Sequence, residues 1–414
     1  MSTVVGSRSQ TPILFVLFLG VLLAALDIAI LGPAIPAIRE AFSLSERQVS
    51  WVFSVWVLAN LVSVPIMSKM ADRHGRKSIY LLDIALFAGG GVVVALAPSF
   101  AVLLIGRAMQ GAAASGIFPV AGAVVGDAFE PEKRGRAFGI LGSVFGVAFI
   151  IGPILAGIIL TVGWRWLYLA FVPLALIVLL AGWRFLPGDY VRTEKPLDRM
   201  GLASLAGILL AAAYAISVLD TSQLLESLLG WRVINSLLLI AILLPFLIRS
   251  SRTAPDPVLR IELFRNRQVA IALLVAIGAG ICEAAFIFFP TIAVLAYNVT
   301  MSEASFMLLP LMFAVAIGSP IAGRLLDKTG SKFIVLTSMV LLGLGMLGIS
   351  TSPESRPVFY LASVLIGLGL AALLGSALSY ILMHEAKREE RATSQGVITL
   401  FISIGQLMSA AMVG

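Results

Sequence analysis

Two ten-residue stretches, SKMADRHGRK at 68–77 and GRLLDKTGSK at 323–332, decide how this chain folds. Aligned without gaps, Lys69 meets Arg324, Asp72 meets Asp327, Arg73 meets Lys328, Gly75 meets Gly330 and Lys77 meets Lys332, all at an offset of 255 residues. Each stretch joins two long apolar runs, and eight such runs separate the two stretches. An even number puts both on one side of a membrane. The chain therefore reads as two parallel halves related by an axis along the membrane normal, the plan of a secondary transporter.

The composition around these loops agrees. Of 414 residues, 59% are hydrophobic and 12% charged, with a mean hydropathy of +1.03. Soluble domains carry about 25% charged residues, and no soluble shape of this size hides so much apolar surface. An ordinary cytosolic enzyme, a disordered chain and a disulfide scaffold are excluded, the last by the single cysteine, Cys282. Apolar runs long enough to span a bilayer occur at 12–37, 49–68, 79–97, 101–125, 136–161, 164–186, 200–219, 231–249, 268–295, 302–325, 333–350, 357–383 and 393–414. They lack the alternation of barrel strands, so an all-α integral membrane bundle satisfies the backbone. The first run, with Asp27 and Pro33 inside it, does not read as a cleaved signal peptide.

With the N-terminus inside, 23 of the 29 Lys and Arg residues fall in inner loops. Five (Arg39, Arg47, Arg165, Arg232 and Arg356) fall outside, and Arg107 lies within the membrane. This bias predicts a multi-pass protein of the cell's inner membrane with a cytoplasmic N-terminus. It accounts for the net charge of +7 without nucleic acid. The halves are expected at 1–190, with six helices, and 256–414, with five; an inserted two-helix linker at 191–255 separates them. The inserted pair has no central charge and is expected to pack at the periphery.

Charges deep in a bilayer are functional by default. Asp27 and Glu283 lie about 22 Å from the inner edge of the core, and Arg107 about 9 Å from the outer edge. The repeat offset carries Asp27 to position 282, next to Glu283. A reversible proton site is one reading, because a desolvated carboxyl group ionises when water or an arginine reaches it. A fixed Asp27–Arg107 pair that clamps helices is the other. Asp83, near the start of the third run, is expected to reach the inner interface and to be structural. Asp72 can accept backbone N–H groups at a neighbouring helix N-terminus. Gly75 permits a tight turn, while Arg73, Arg76 and Lys77 are expected to pair with acids across the inner face. Gly142, Gly146, Gly152 and Gly157, with Pro153, make the fifth span small along one stripe. The six tryptophans are expected mostly in an interfacial belt. His74 and His384 have no metal-ligand spacing around them, and no phosphate-binding glycine loop occurs. No enzyme activity is expected.

Several motifs resemble the major facilitator superfamily, specifically its fourteen-helix drug:proton antiporter branch. SKMADRHGRK is similar to the superfamily signature G-x-L-A-D-R-x-G-R-K, with Ser68 in place of the first glycine. LDIAILGPAIP at 26–36 resembles the branch's first-helix motif through Asp27 and Pro36. IGRAMQGAAAS at 105–115 matches its fourth-helix motif at Arg107, Gln110 and Gly111. IIGPILAG at 150–157 resembles the fifth-helix antiporter motif at Gly152, Pro153 and Gly157, with Ala148 and Ala156 where glycine is usual. VGWRWLYL at 162–169 and RIELFRNR at 260–267 are also similar.

The resemblance implies a monomeric transporter that exports small amphipathic or cationic drugs in exchange for protons, with no cofactor other than the proton gradient. Asp27, Arg107, Gln110 and Glu283 would form the proton and substrate site. Asp72, Arg73, Gly75, Arg76, Lys77, Asp327 and Gly330 would form a cytoplasmic gate. It also implies a fourteenth helix, so the second half reads as one span short. A proton-coupled metabolite exporter or importer of the same fold is the alternative. A membrane sensor or assembly protein is a further one.

Overall fold

A computed structural model describes residues 10–188, 196–219, 226–227, 229–259, 265–285 and 289–413. Arg8, Arg192, Lys195 and Arg260, counted above as inner basic residues, lie outside this set. The described residues contain no strand. The first six long helices are α1 (Gln10–Ala41), α2 (Trp51–His74), α3 (Arg76–Ala95), α4 (Phe100–Ala128), α5 (Pro131–Leu160) and α6 (Trp164–Phe185). The inserted pair is α7 (Arg199–Ser217) and α8 (Trp231–Thr253). Then come α9 (Arg267–Ala285), α10 (Leu309–Thr329), α11 (Ser331–Thr351), α12 (Arg356–Glu385) and α13 (Arg391–Val413). Twelve of these are long and apolar enough to cross a membrane, and α13 is a further helix of 23 residues. Their apolar surplus faces outward, as at Leu180, Ile158 and Leu274, which are 71%, 64% and 70% exposed.

The two loops quoted first are single glycines. Gly75 joins α2 to α3 with φ 106°, and Gly330 joins α10 to α11 with φ 79°. That left-handed backbone favours a residue without a Cβ. A one-residue hinge folds each helix pair tightly and holds the preceding aspartate at the end of its helix.

The repeat reappears in the packing. α1 lies against α5 as α9 lies against α13, and α2 and α3 lie against α4 as α10 and α11 lie against α12. Between the groups, α5 packs on α10 and α13 on α2. Shifting either pair by eight helices produces the other, as a two-fold axis along the bundle requires. The α5–α10 contact is the closest. A Cβ at Gly139 would overlap the Ser319 carbonyl of α10, and one at Gly146 would overlap Ala316. Gly142 meets Gly375 in the same way, inside a π-helical segment of α12, Leu373–Ala377. Small residues let the backbones touch where lipid supplies no hydrophobic drive.

The fifth-span motif divides between roles. Gly152 packs on Ala29 of α1, whereas nothing lies within 4 Å of a Cβ at Gly157, and Pro153 is exposed. Ala316, opposite Gly146, is only seven residues from the start of α10. Past that level α10 runs out, and Gly157 has no neighbour to approach.

The inserted pair is less peripheral than its composition suggests. α7 lies against both α2 and α13, one helix from each group. Leu205 and Leu209 of α7 cluster there with Leu61 of α2, Leu400 of α13 and Val258. Lys69 of the signature loop is buried and donates to Asp256 at 2.5 Å and to the Pro257 carbonyl at 3.1 Å, in the segment that follows α8. Asp198 caps α7 by accepting the Gly201 amide at 2.7 Å, and it also accepts the Ser250 hydroxyl of α8. Among the tryptophans, Trp51, Trp166, Trp183 and Trp231 are exposed as a belt would be, whereas Trp56 and Trp164 are buried.

Overpacking a tight contact typically costs about 1–3 kcal/mol. Gly142→Val is therefore expected to lower the thermal unfolding temperature of the detergent-purified protein, read by tryptophan fluorescence. Gly157→Ala, with open space around it, is expected to leave that temperature unchanged.

Candidate functional site

All the basic signature loops gather at one end of the bundle, called here the basic end. There Asp72, in the last turn of α2, accepts the Ala392 and Thr393 amides at 3.1 and 2.8 Å and the Thr393 hydroxyl at 2.7 Å. These donors are the N-terminus of α13. Asp327, in the last turn of α10, accepts the Gly135 and Arg136 amides at 2.8 Å each, in the first turns of α5. Each carboxylate thus caps a helix of the opposite group, where free amides and the helix dipole favour a negative charge.

A second tier of charge surrounds Asp72. Arg76 donates to Asp72 at 3.2 Å, to Asp127 at 2.5 Å and to the Arg388 carbonyl. Asp127, at the end of α4, also takes Arg391 at 2.6 Å, and Arg388 lies at 3.6 Å. Asp127, Arg388, Arg391 and Thr393 were not among the expected gate residues. Asp127 stands in a mixed stretch with Glu130, Glu132, Lys133 and Arg134, and no spacing ties it to a partner 264 residues away. Lys77 differs from its expected role. It donates to the Trp183 and Leu186 carbonyls at 2.6 and 3.3 Å, within its own group of helices. The carbonyl-rich end of α6 attracts a cation. Arg73 is half-buried in the last turn of α2.

Midway along the bundle, Asp27 of α1 and Arg107 of α4 are both fully buried. Arg107 Nη1 lies 2.9 Å from each Asp27 oxygen and 2.9 Å from Gln110 Oε1, and its Nε donates to the Val52 carbonyl at 3.2 Å. The guanidinium stands 5.8 Å from the Tyr168 ring of α6. Among the described residues, Arg107 Nη2, Gln110 Nε2 and the Tyr168 hydroxyl have no hydrogen-bond partner, and the Trp56 indole lies beside Asp27. The cluster therefore holds one compensated carboxylate and several donors able to receive an acceptor. Trp56 and Tyr168 join it only through the folding of α2 and α6. Glu283 of α9 belongs to the other group of helices, where Gln406 of α13 donates to it at 3.0 Å. Asp83, expected at the interface, is instead wholly buried in α3.

Crossed helix caps, an eight-helix repeat and a buried intramembrane ion pair define a two-fold transporter fold, and the sequence matches the profile of the Major Facilitator Superfamily over residues 17–410. The chain belongs to the Major Facilitator Superfamily. It is 32% identical over 411 residues to the MFS-type transporter YfiU of Bacillus subtilis, covering 98% of this chain and 79% of that protein. It is 26% identical to Multidrug resistance protein 3 of the same bacterium, with 100% and 81% covered. It is 28% identical to Multidrug resistance protein Stp of Mycobacterium tuberculosis, with 99% and 76% covered. Among solved structures, the human organic anion transporter MFSD10 superposes with a TM-score of 0.76 at 18% identity, covering 98% of this chain and 94% of that one. The proton:xylose symporter XylE superposes with 0.71 at 13%, covering 97% and 87%. At those identities the solved structures speak for the fold alone. The protein is thus a multi-pass membrane transporter of this superfamily.

A hydrogen bond to a charged group is worth about 1.5–3 kcal/mol. Asp72→Asn, which keeps the shape and removes the charge, is expected to insert normally into membranes but to loosen the basic end. In a Cys282→Ser background, a cysteine placed at Thr393 should react with a water-soluble maleimide on the order of tenfold faster when Asp72 is Asn.

Proposed function

We propose that the protein is a proton-coupled exporter of small amphipathic or cationic compounds, working as an antiporter in the cell membrane with the basic end in the cytoplasm. The observation that carries this reading is the fully buried Asp27–Arg107 pair, formed between two membrane-spanning helices. A carboxylate held this way is anionic while Arg107 faces it. A modest movement of α1 against α4 removes the guanidinium, and desolvation then favours protonation. Proton uptake and helix movement are in this way one event. Removing a single partner of a buried pair costs about 3–5 kcal/mol, enough to bias a conformational equilibrium strongly. Tight caps at the basic end close the cytoplasmic side, so a proton that reaches Asp27 when α1 moves comes from outside.

The names of the multidrug relatives support a drug-like cargo. Glu283, half-buried and held only by a neutral amide among the described contacts, suits a cation. Direction and substrate follow from transport measurements. In an efflux-deficient host, expression is expected to lower accumulation of ethidium and similar cations, and a protonophore should abolish the effect.

Asp27→Asn in proteoliposomes is expected to abolish substrate-driven proton exchange while substrate binding remains measurable. Glu283→Gln should weaken binding of cationic substrates several-fold and spare neutral ones. Loss of coupling in Glu283→Gln with coupling intact in Asp27→Asn would exchange the roles of the two acids.

A further inference from the structure

Asp83 is a second buried acid that the reading above does not use. It is 0% exposed, and among the described residues neither of its carboxyl oxygens has a hydrogen-bond partner. It sits seven residues beyond Arg76, about 10 Å along α3 from the cluster at the basic end. Its pocket is built from small parts. A Cβ at Gly116 of α4 would overlap Asp83 Oδ2, and the same point lies 3.0 Å from Met67 Cβ of α2. Gly116 thus leaves a notch that holds the carboxyl group, and Met67 closes it.

No charge compensates this group from any neighbouring helix. On α3 itself, Tyr80 turns its hydroxyl to the Val16 and Leu17 carbonyls of α1, while Arg76 and Lys77 are engaged at the first turn. α2 has no charged residue between Trp51 and Lys69, and Lys69 is held by Asp256. α4 has none between Arg107 and Asp127, and α6 none between Arg165 and Arg184. α1 offers Asp27, which is taken by Arg107, and Arg39 and Glu40 in its last turn, twelve or more residues further on. An isolated ionised carboxylate in such surroundings is strongly disfavoured, whereas a neutral acid fits. Asp27 and Asp83 therefore differ in kind: the first is an anion matched by a cation, the second an acid without one.

We propose that Asp83 is a second proton-binding site of the transporter, loaded while the basic end is closed and emptied when that end opens. This rests on the proton-coupled reading. Met67 lies five residues before Asp72 on α2, so the helix that covers the notch is the one that Asp72 ties to α13. When that tie breaks and α2 moves, water reaches the carboxyl group. The O–H bond then breaks, the proton passes to water as hydronium, and the electron pair stays on the carboxylate oxygen. Closure requires the O–H bond to form again with a proton handed on from the opposite side by way of the Asp27 cluster, so that one proton crosses per cycle at this site.

The test is infrared spectroscopy of the full chain in phosphatidylethanolamine and phosphatidylglycerol nanodiscs. Wild type should show a carboxylic-acid carbonyl band that Asp83→Asn removes. In the Asp72→Asn, Asp327→Asn double variant, whose basic end is loosened, the band should vanish at a pH at least one unit lower than in wild type. Asp83→Asn should also carry fewer protons per substrate in proteoliposomes while still exchanging substrate for substrate. If Asp83→Asn does not fold, Gly116→Ala, which crowds the carboxyl group, should shift the same band. A spectrum unchanged by Asp83→Asn, or by Gly116→Ala in its place, overturns the proposal. So does a band whose titration is the same in wild type and the loosened variant. A wild type that moves no protons with substrate sinks the antiport reading instead, and the infrared titration still decides whether Asp83 exchanges its proton.

Discussion

Two aspartates, each seated on a helix N-terminus of the opposite half, set the state of this molecule. Asp72 reaches the first amides of α13, and Asp327 reaches the Gly135 and Arg136 amides one turn into α5. Each interaction joins a full negative charge to backbone N–H groups near the positive end of a helix dipole. Because the contacts cross between the two groups of helices, they tie the basic end together. The glycine hinges at Gly75 and Gly330 make this geometry available. Without the sharp turn, the aspartate at the end of each helix would not be presented to its partner. The arrangement is symmetric in the caps but not in what surrounds them. Asp72 is backed by Arg76 and the Asp127 cluster, whereas a serine, Ser331, follows the second glycine hinge.

The same low-dielectric interior governs the buried acids, and it sorts them by partner. Asp27 is matched by Arg107, whose remaining bonds go to Gln110 and to the Val52 carbonyl. Glu283 meets one neutral donor, and Asp83 meets none. A graded series of this kind is what proton coupling needs, because the protonation state of each acid then depends on which neighbour is in place. Where lipid replaces water, small movements of one helix change electrostatic energies by amounts that a solvated surface would damp.

The inserted pair adds a constraint of its own. α7 lies along the seam between α2 and α13, and Lys69 fastens the signature loop to the segment after α8. Opening at the basic end must therefore either break the buried Lys69–Asp256 pair or move the inserted helices with α2. On the other side, the seam between α5 and α10 is closed by glycine packing and by the Asp327 carboxylate on the Gly135 and Arg136 amides. The two seams are equivalent by the repeat and unequal in what braces them.

The chain's membrane character, its helical class, its repeat and its crossed caps follow from composition and from one pair of loops. These signals are local or periodic: twenty-residue apolar runs, a charge bias between loops, and an aspartate before a glycine. Asp27 and Arg107 were legible for the same reason, since an intramembrane charge stands out in an apolar run and depth follows from helical rise. What only the tertiary structure decided is partnership. The Asp127 cluster, the Lys69–Asp256 bond, the place of Trp56 and Tyr168 beside Arg107, and the isolation of Asp83 all depend on which helix faces which. Gly157 and Lys77 show the converse, motif positions whose neighbours are not those that spacing suggested. Helix rotation is set by the close packing of whole faces, through contacts between residues far apart in the chain, and no local pattern of residues encodes it.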